Sequence, residues 1–275
     1  MRAWLEREAG LRLAYQVWGR EDGVPVLCLH GFTGSGTTWR GVWDPSWPAR
    51  CWAPDLWGHG ASTVPADPAR LSLEATAADL AALLDAGGLA RVLVAGYSMG
   101  GRVALEFACR YPARVAGLLL ESASPGIADP AERARRAAAD DALADRIERE
   151  GMDWFTAFWE ALPLFASHRR LPPEVQAALH RLRRSQSPAG LAQSLRGAGT
   201  GRQSSWWDAL PTIQVPVALV TGSLDPKFTA IARAMAARLP HVRHWQCAGA
   251  GHTPHLERPD CFRAALAALL AATRV

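Results

Sequence analysis

Lysine is nearly absent from this chain. Lys227 is the only one among 30 lysines and arginines, and the formal net charge is a modest +4. No basic run is present and no aromatics interleave with one, which argues against a nucleic-acid partner. A coding bias toward arginine accounts for the arginines as a group. Cysteine is sparse: Cys28, Cys51, Cys109, Cys247 and Cys261 are scattered with no C-x-x-C pair. That pattern favours free thiols over disulfides or zinc, and neither a metal nor another cofactor is expected. No apolar run approaches the ~20 residues of a membrane span. Met1-Arg2-Ala3-Trp4-Leu5-Glu6 lacks a secretory signal's long apolar stretch. A cytoplasmic monomer with no membrane partner is the expectation.

What the chain does have is hydrophobic mass. Its 275 residues are 49% hydrophobic, enough for one large core. There are twelve tryptophans, and Trp39, Trp43, Trp47, Trp52 and Trp57 cluster early, where core packing explains them. Short apolar or β-branched runs alternate with Ala/Leu-rich helical stretches, which predicts an α/β fold: a mostly parallel sheet with helices on both faces. Strands are expected at Leu11–Val17, Pro25–Leu29, Cys51–Ala53, Val92–Ala95, Val115–Glu121, Val217–Thr221 and Val242–Gln246. Helices are expected at Leu73–Ala86, Gly101–Tyr111, Phe228–Leu239 and Pro259–Ala271. From about Pro125 to Trp207 the rhythm breaks into charged helical segments: Pro130–Glu150, Trp154–Leu162 and Pro173–Arg184. The division is therefore a core of residues 1–124 and 208–275 with a helical cap, 125–207, inserted between. Gly197-Ala198-Gly199-Thr200-Gly201 reads as a loop or hinge.

Gly96-Tyr97-Ser98-Met99-Gly100 follows the apolar run Val92-Leu93-Val94-Ala95. This is the G-x-S-x-G of a nucleophile elbow, a sharp strand-to-helix turn with the serine at its apex. A serine hydroxyl is a weak nucleophile or base unaided, so a histidine and a carboxylate are required. Asp225 follows the run Leu219-Val220-Thr221-Gly222, and His252 follows Ala248-Gly249-Ala250-Gly251. The order Ser98, Asp225, His252 is that of α/β-hydrolases. His255 is the competing histidine, but the glycine-rich run favours His252 as the loop tip. The amides of Met99 and Phe32 are the expected oxyanion donors. Asp55 and His59 read as parts of a structural turn. Gly31-Phe32-Thr33-Gly34-Ser35-Gly36 lacks the Gly-Lys-Ser/Thr of a phosphate loop.

Several segments together are more specific than the elbow. Leu29-His30-Gly31-Phe32-Thr33-Gly34-Ser35-Gly36, Gly96-Tyr97-Ser98-Met99-Gly100-Gly101-Arg102 and Glu121-Ser122-Ala123-Ser124-Pro125-Gly126 form one group. Ser194-Leu195-Arg196-Gly197-Ala198-Gly199-Thr200-Gly201 and Asp225-Pro226-Lys227-Phe228 complete it. Together they resemble the 2-succinyl-6-hydroxy-2,4-cyclohexadiene-1-carboxylate (SHCHC) synthases of menaquinone biosynthesis, from about Val26 to Pro259. The resemblance implies a lyase on the hydrolase fold. It would eliminate pyruvate from a ring carrying an enolpyruvyl ether, a succinyl ketone and a carboxylate. Such a substrate has an acidic C–H beside the ketone and no ester or amide to attack, so Ser98, activated by His252, is expected to serve as base. It also implies a small anionic substrate with three carboxylates, gripped by Arg102, Arg136 and Arg183, with Arg181 and Arg184 as the alternatives to Arg183. Trp159 and Phe165 would wall the pocket, with Tyr97 beside the serine and Lys227 at the rim. The segment Arg184-Ser185-Gln186-Ser187-Pro188 departs from the family's usual asparagine, which bears most on Arg183.

Two other readings are compatible with the residues alone. One is a serine hydrolase of esters or of carbon–carbon bonds. The other is a non-catalytic small-molecule-binding module on the same fold.

Overall fold

The computed structural model describes residues 2–8 and 10–273. Its centre is an eight-stranded sheet of order β1-β2-β4-β3-β5-β6-β7-β8. The strands are β1 (Arg2–Glu6), β2 (Arg12–Gly19), β3 (Val24–Leu29), β4 (Ala49–Pro54), β5 (Val92–Tyr97), β6 (Val115–Glu121), β7 (Val217–Gly222) and β8 (Val242–Cys247). β1 pairs antiparallel with β2, and β2 antiparallel with β4. Every other pairing is parallel. The mostly parallel α/β sheet predicted from the alternation of elements is thus present. β1 adds a strand beyond those expected, because Arg-Ala-Trp-Leu-Glu is short and half polar. It forms as an edge strand whose alternate residues are exposed.

The parallel strands are apolar throughout because both their faces are covered. In β5, Val92 and Val94 point to one core cluster, while Leu93, Ala95 and Tyr97 point to the other. The first cluster packs against α1 (Leu73–Ala86), α2 (Met99–Arg110) and α6 (Pro226–Ala236). The second packs against α8 (Pro259–Ala272) and the early tryptophans, of which Trp39, Trp43 and Trp47 are all buried.

Between β6 and β7 the described chain adds no strand. α3 (Pro130–Glu160), α4 (Pro173–Arg184) and α5 (Pro188–Ala198) form a helical block with its own small core of Ala144, Ile147, Phe155, Leu191, Ala192 and Leu195. α3 breaks at Gly151, whose φ of 78° is left-handed. α5 is a helix beyond those expected. The glycines suggest a loop, yet here they serve close packing: a Cβ on Gly197 would strike the Pro68 carbonyl, and one on Gly201 the Ala137 backbone. The stretch is therefore a packed joint and not a hinge.

One further expectation is overturned. Cys247 and Cys261 form a disulfide with their Cα atoms 5.8 Å apart, while Cys28, Cys51 and Cys109 are free. The fourteen-residue spacing carries no motif. Only the packing of β8 against the start of α8 brings the two sulfurs together.

Candidate active site

The turn after β5 places Ser98 with φ 51° and ψ −108°, a conformation costly for any non-glycine residue. The turn is tight enough that a side chain at Gly96 would strike Gly100, and one at Gly100 would strike the Leu29 carbonyl. Ser98 N–H donates to the Glu121 carbonyl at 2.8 Å, which anchors the strained residue to β6. Asp225 leaves the end of β7 and caps α6, with Oδ1 accepting from Phe228 N–H at 3.2 Å. Its Oδ2 lies 2.8 Å from His252 Nδ1, and His252 Nε2 lies 3.1 Å from Ser98 Oγ. A carboxylate can only accept, so Nδ1 donates to Asp225, and neutral Nε2 is left to accept from the serine hydroxyl. Asp225 and His252 are buried at 5% and 1% exposure, which shields these bonds from water.

Above Ser98 lies a cavity of about 770 Å³, within the range of small-molecule sites. Phe32, Tyr97, Met99, Arg102, Arg136, Trp159, Phe165 and Lys227 all border it, together with Ser98 and His252. Neither the Phe32 nor the Met99 amide is taken by another acceptor among the described residues. Phe228 lies 4.6 Å from the His252 ring, and Phe165 lies 6.0 Å from it, so the imidazole has an apolar surround. Trp159 packs edge-on to Phe32 at 5.3 Å, and its indole N–H has no partner among the described residues.

Arg102 projects from the first turn of α2 and donates to the Ala198 carbonyl at 2.8 Å. Burial pulls its guanidinium down to about 10; Asp140 acts in the opposite direction and Arg136 adds to the fall. Arg136 pairs with the buried Asp140 at 2.8 Å while still bordering the cavity. Lys227, in the first turn of α6, sits over the Phe228 ring at 5.7 Å. Burial pushes the Tyr97 hydroxyl well above its ordinary range, with Glu121 adding to the rise.

Arg183 is not brought together with the other cations. Its buried side chain donates to Glu160 at 3.0 Å and lies over Phe165 at 5.3 Å. It lines a separate chamber of about 40 Å³ on the far side of Phe32, Tyr97 and Phe165. His255 is also placed elsewhere: its backbone and Nδ1 both donate to the fully buried Glu121 carboxylate. Asp55 ties two loops together by accepting from Gly36 N–H at 2.7 Å and Ala61 N–H at 2.9 Å, and His30 Nε2 accepts from Leu56 N–H. Trp207, Ser194 and Ile127 border the large cavity without a motif that marks them in sequence.

Residues 24–259 match the family model of the alpha/beta hydrolase fold, and the chain belongs to that family. A thermophilic esterase from Thermogutta terrifontis, solved with malate bound, shares the fold at a TM-score of 0.84 and 30% identity, with 98% of each chain covered.

Other similarities are narrower. A protein of Bacillus subtilis (strain 168), provisionally designated a 2-succinyl-6-hydroxy-2,4-cyclohexadiene-1-carboxylate synthase, is 41% identical over 92% of both chains. The synthase of that name from Klebsiella pneumoniae (strain 342) is 35% identical, covering 95% of this chain and all of its own. MenH from S. aureus superposes with a TM-score of 0.88 at 33% identity, covering 94% of this chain and 97% of its own. Within the hydrolase fold, the chain belongs to the SHCHC synthase family.

Proposed function

We propose that this protein eliminates pyruvate from 2-succinyl-5-enolpyruvyl-6-hydroxy-3-cyclohexene-1-carboxylate to give 2-succinyl-6-hydroxy-2,4-cyclohexadiene-1-carboxylate. The observation that carries the reading is one cavity with Ser98 and His252 on its floor and Arg102, Arg136 and Lys227 around it. Three cations match a substrate bearing three carboxylates.

The chemistry follows from the substrate's acidity. The ring C–H beside the succinyl carbonyl is the acidic one. Ser98 Oγ takes that proton as its own passes to His252 Nε2, and Asp225 stabilises the imidazolium at Nδ1. Charge building on the carbonyl oxygen is met by the Phe32 and Met99 amides. The electron pair forms a new ring double bond, the existing one shifts by one position, and the enolpyruvyl C–O bond breaks. The departing enolate takes a proton and becomes pyruvate. No acyl group is transferred, so no covalent adduct on Ser98 is required.

Arg102 and Arg136 hold carboxylates at the wall formed by the helical block, Trp159 walls the cavity, and Phe165 and Tyr97 exclude water from the imidazole. Arg183 acts through Phe165 and Glu160, on which it packs. The 125–207 block serves as the cap over this site. The enzyme works as a cytoplasmic monomer.

The test is a coupled pyruvate-release assay on the enolpyruvyl substrate. Ser98→Ala should lower kcat by at least a thousandfold, and mass spectrometry during turnover should find no adduct on Ser98. Hydrolysis of nitrophenyl esters without pyruvate release would make the protein a serine hydrolase. Inertness toward both substrates would leave it a binding module.

A further inference from the structure

The loop that presents His252 is held from behind by a single carboxylate. Glu257 ends the short helix α7 (Pro254–Glu257). Its Oε2 accepts from Gly251 N–H at 2.8 Å, and its Oε1 accepts from Thr253 N–H at 3.1 Å. These are the two amides that flank His252. Oε1 also accepts from the Thr253 hydroxyl at 2.8 Å.

The chain of bonds continues into the helical block. His168 Nε2 lies 2.6 Å from Thr253 Oγ1. Counting protons gives the direction. A carboxylate only accepts, so the one hydroxyl proton of Thr253 goes to Glu257, and Thr253 Oγ1 must accept from His168 Nε2–H. A neutral His168 then has a bare Nδ1, and Nδ1 is the ring nitrogen that has no partner among the described residues. Burial, with Arg183 adding, pulls His168 down to about 4, so the ring is neutral at pH 7. Burial alone would raise the Glu257 carboxyl, but Gly251 N–H, the Ser167 hydroxyl and Thr253 outweigh it and hold the group below its ordinary range. Ser167, next to His168, packs so closely on Gly251 that a Cβ there would strike its hydroxyl.

This anchor answers a mechanical need. The approach to His252 is Ala248-Gly249-Ala250-Gly251, a run with little conformational preference of its own, and Gly249 is left-handed at φ 75°. The imidazole must nonetheless satisfy Asp225 and Ser98 at once, and a misplacement of 1 Å can cost about 100-fold in rate.

We propose that Glu257 is the positioning residue of His252, and that the chain His168–Thr253–Glu257 makes the seating of the helical block and the alignment of the imidazole one event. The proposal rests on reading Ser98, His252 and Asp225 as the catalytic set. Glu257 does not border the cavity; it acts through the backbone on either side of His252.

The test uses the intact enzyme. Thr253→Val keeps the side-chain shape and removes the hydroxyl, whereas Thr253→Ser keeps the hydroxyl. Thr253→Val should lower kcat for pyruvate release at least tenfold with KM within threefold, and Thr253→Ser should stay within threefold of the wild type in both. Glu257→Gln should lose about 100-fold in kcat, with no further loss when combined with Thr253→Val. His168→Phe should match Thr253→Val, and the two should not multiply. In the free enzyme, the low-field proton resonance of His252 Nδ1–H should shift or broaden in Thr253→Val and not in Thr253→Ser. Wild-type kcat and an unmoved resonance in Thr253→Val overturn the proposal. Equal losses in the Val and Ser variants also overturn it, by reducing Thr253 to packing. An unaffected His168→Phe removes the link to the helical block. If Glu257→Gln does not fold, the Thr253 pair and the resonance decide alone. A wild-type enzyme that releases no pyruvate, yet whose resonance responds to Thr253→Val, refutes the assigned reaction and leaves the positioning role standing.

Discussion

Replacing Arg102 with methionine separates a binding role from a structural one, because only the structural role predicts a large loss of stability. Arg102 makes no ion pair among the described residues, and its side chain donates only to the Ala198 carbonyl. Burial lowers its pKa from 12.5 to about 10, so at pH 7 the folded state carries a penalty of about 3 kcal/mol for holding it charged. The Arg102→Met substitution would remove that penalty. It would also remove a charge-assisted hydrogen bond worth roughly 1.5–3 kcal/mol. The two nearly cancel, so stability should change by no more than about 1 kcal/mol, or about 4 °C in Tm for a chain this long. Activity should respond very differently. A buried substrate carboxylate left without its cation costs about 2–5 kcal/mol, which is roughly thirty- to several-thousand-fold in kcat/KM. Arg102→Lys keeps the charge without the bidentate fork and should recover only part of the loss. The assays are thermal unfolding and pyruvate release on the same preparations. A fall of about 10 °C in Tm with unchanged kcat/KM would refute the reasoning and make Arg102 a strut between α2 and α5.

Two further predictions concern stability. Burial lowers His30 to about 4, His59 to about 3, with His30 adding to the effect, and His168 to about 4. Between those values and the ordinary 6.5 the unfolded chain binds more protons than the folded one, so stability falls as pH drops below about 6.5. Each histidine contributes about 3 kcal/mol to that loss by order of magnitude, against a typical total of about 5–15 kcal/mol. Urea midpoints should therefore decline steadily from pH 7 to pH 4.5, and a flat profile would contradict the neutral assignment of these rings. The second prediction concerns the Cys247–Cys261 disulfide, whose partners are 14 positions apart in sequence with His252 between them. Cys261→Ser should cost about 3 kcal/mol through the freed unfolded chain. An equal Tm for wild type and variant under oxidising conditions would show that the link adds nothing.

Local signals are enough to read most of the fold. Apolar runs such as Val92–Ala95 and Val115–Glu121 declare buried parallel strands because both their faces meet helices. Leu73, Ala77, Leu80 and Leu84, spaced at helical intervals and all buried, declare a helix on one face. The elbow at Ser98 is legible because its signature is five consecutive residues, with Gly96 facing Gly100 across the turn. The order of Ser98, Asp225 and His252 is legible too, since each follows a strand whose end the sheet brings to one side. What the sequence could not disclose depends on partners distant along the chain. β1 becomes a strand only by pairing with β2, and α5 is helical despite Gly190 and Gly197 because they let it approach Gly58 and Pro68. Cys247 and Cys261 meet only when α8 docks on β8.

The same division runs through the site. The amino-acid order alone determined which residues could do chemistry: a serine on a strained turn, a histidine on a glycine-rich loop, an acid after a strand and an arginine one turn past the serine. Tertiary structure decided which of them share a cavity. It set Arg102, Arg136 and Lys227 around the serine, and it put Arg183 behind Phe165 against Glu160. It also enlisted Glu257, Thr253 and His168 around His252. The physical reason is that residue type and short-range sterics are written locally, whereas burial, side-chain direction and hydrogen-bond partners exist only once distant segments have packed.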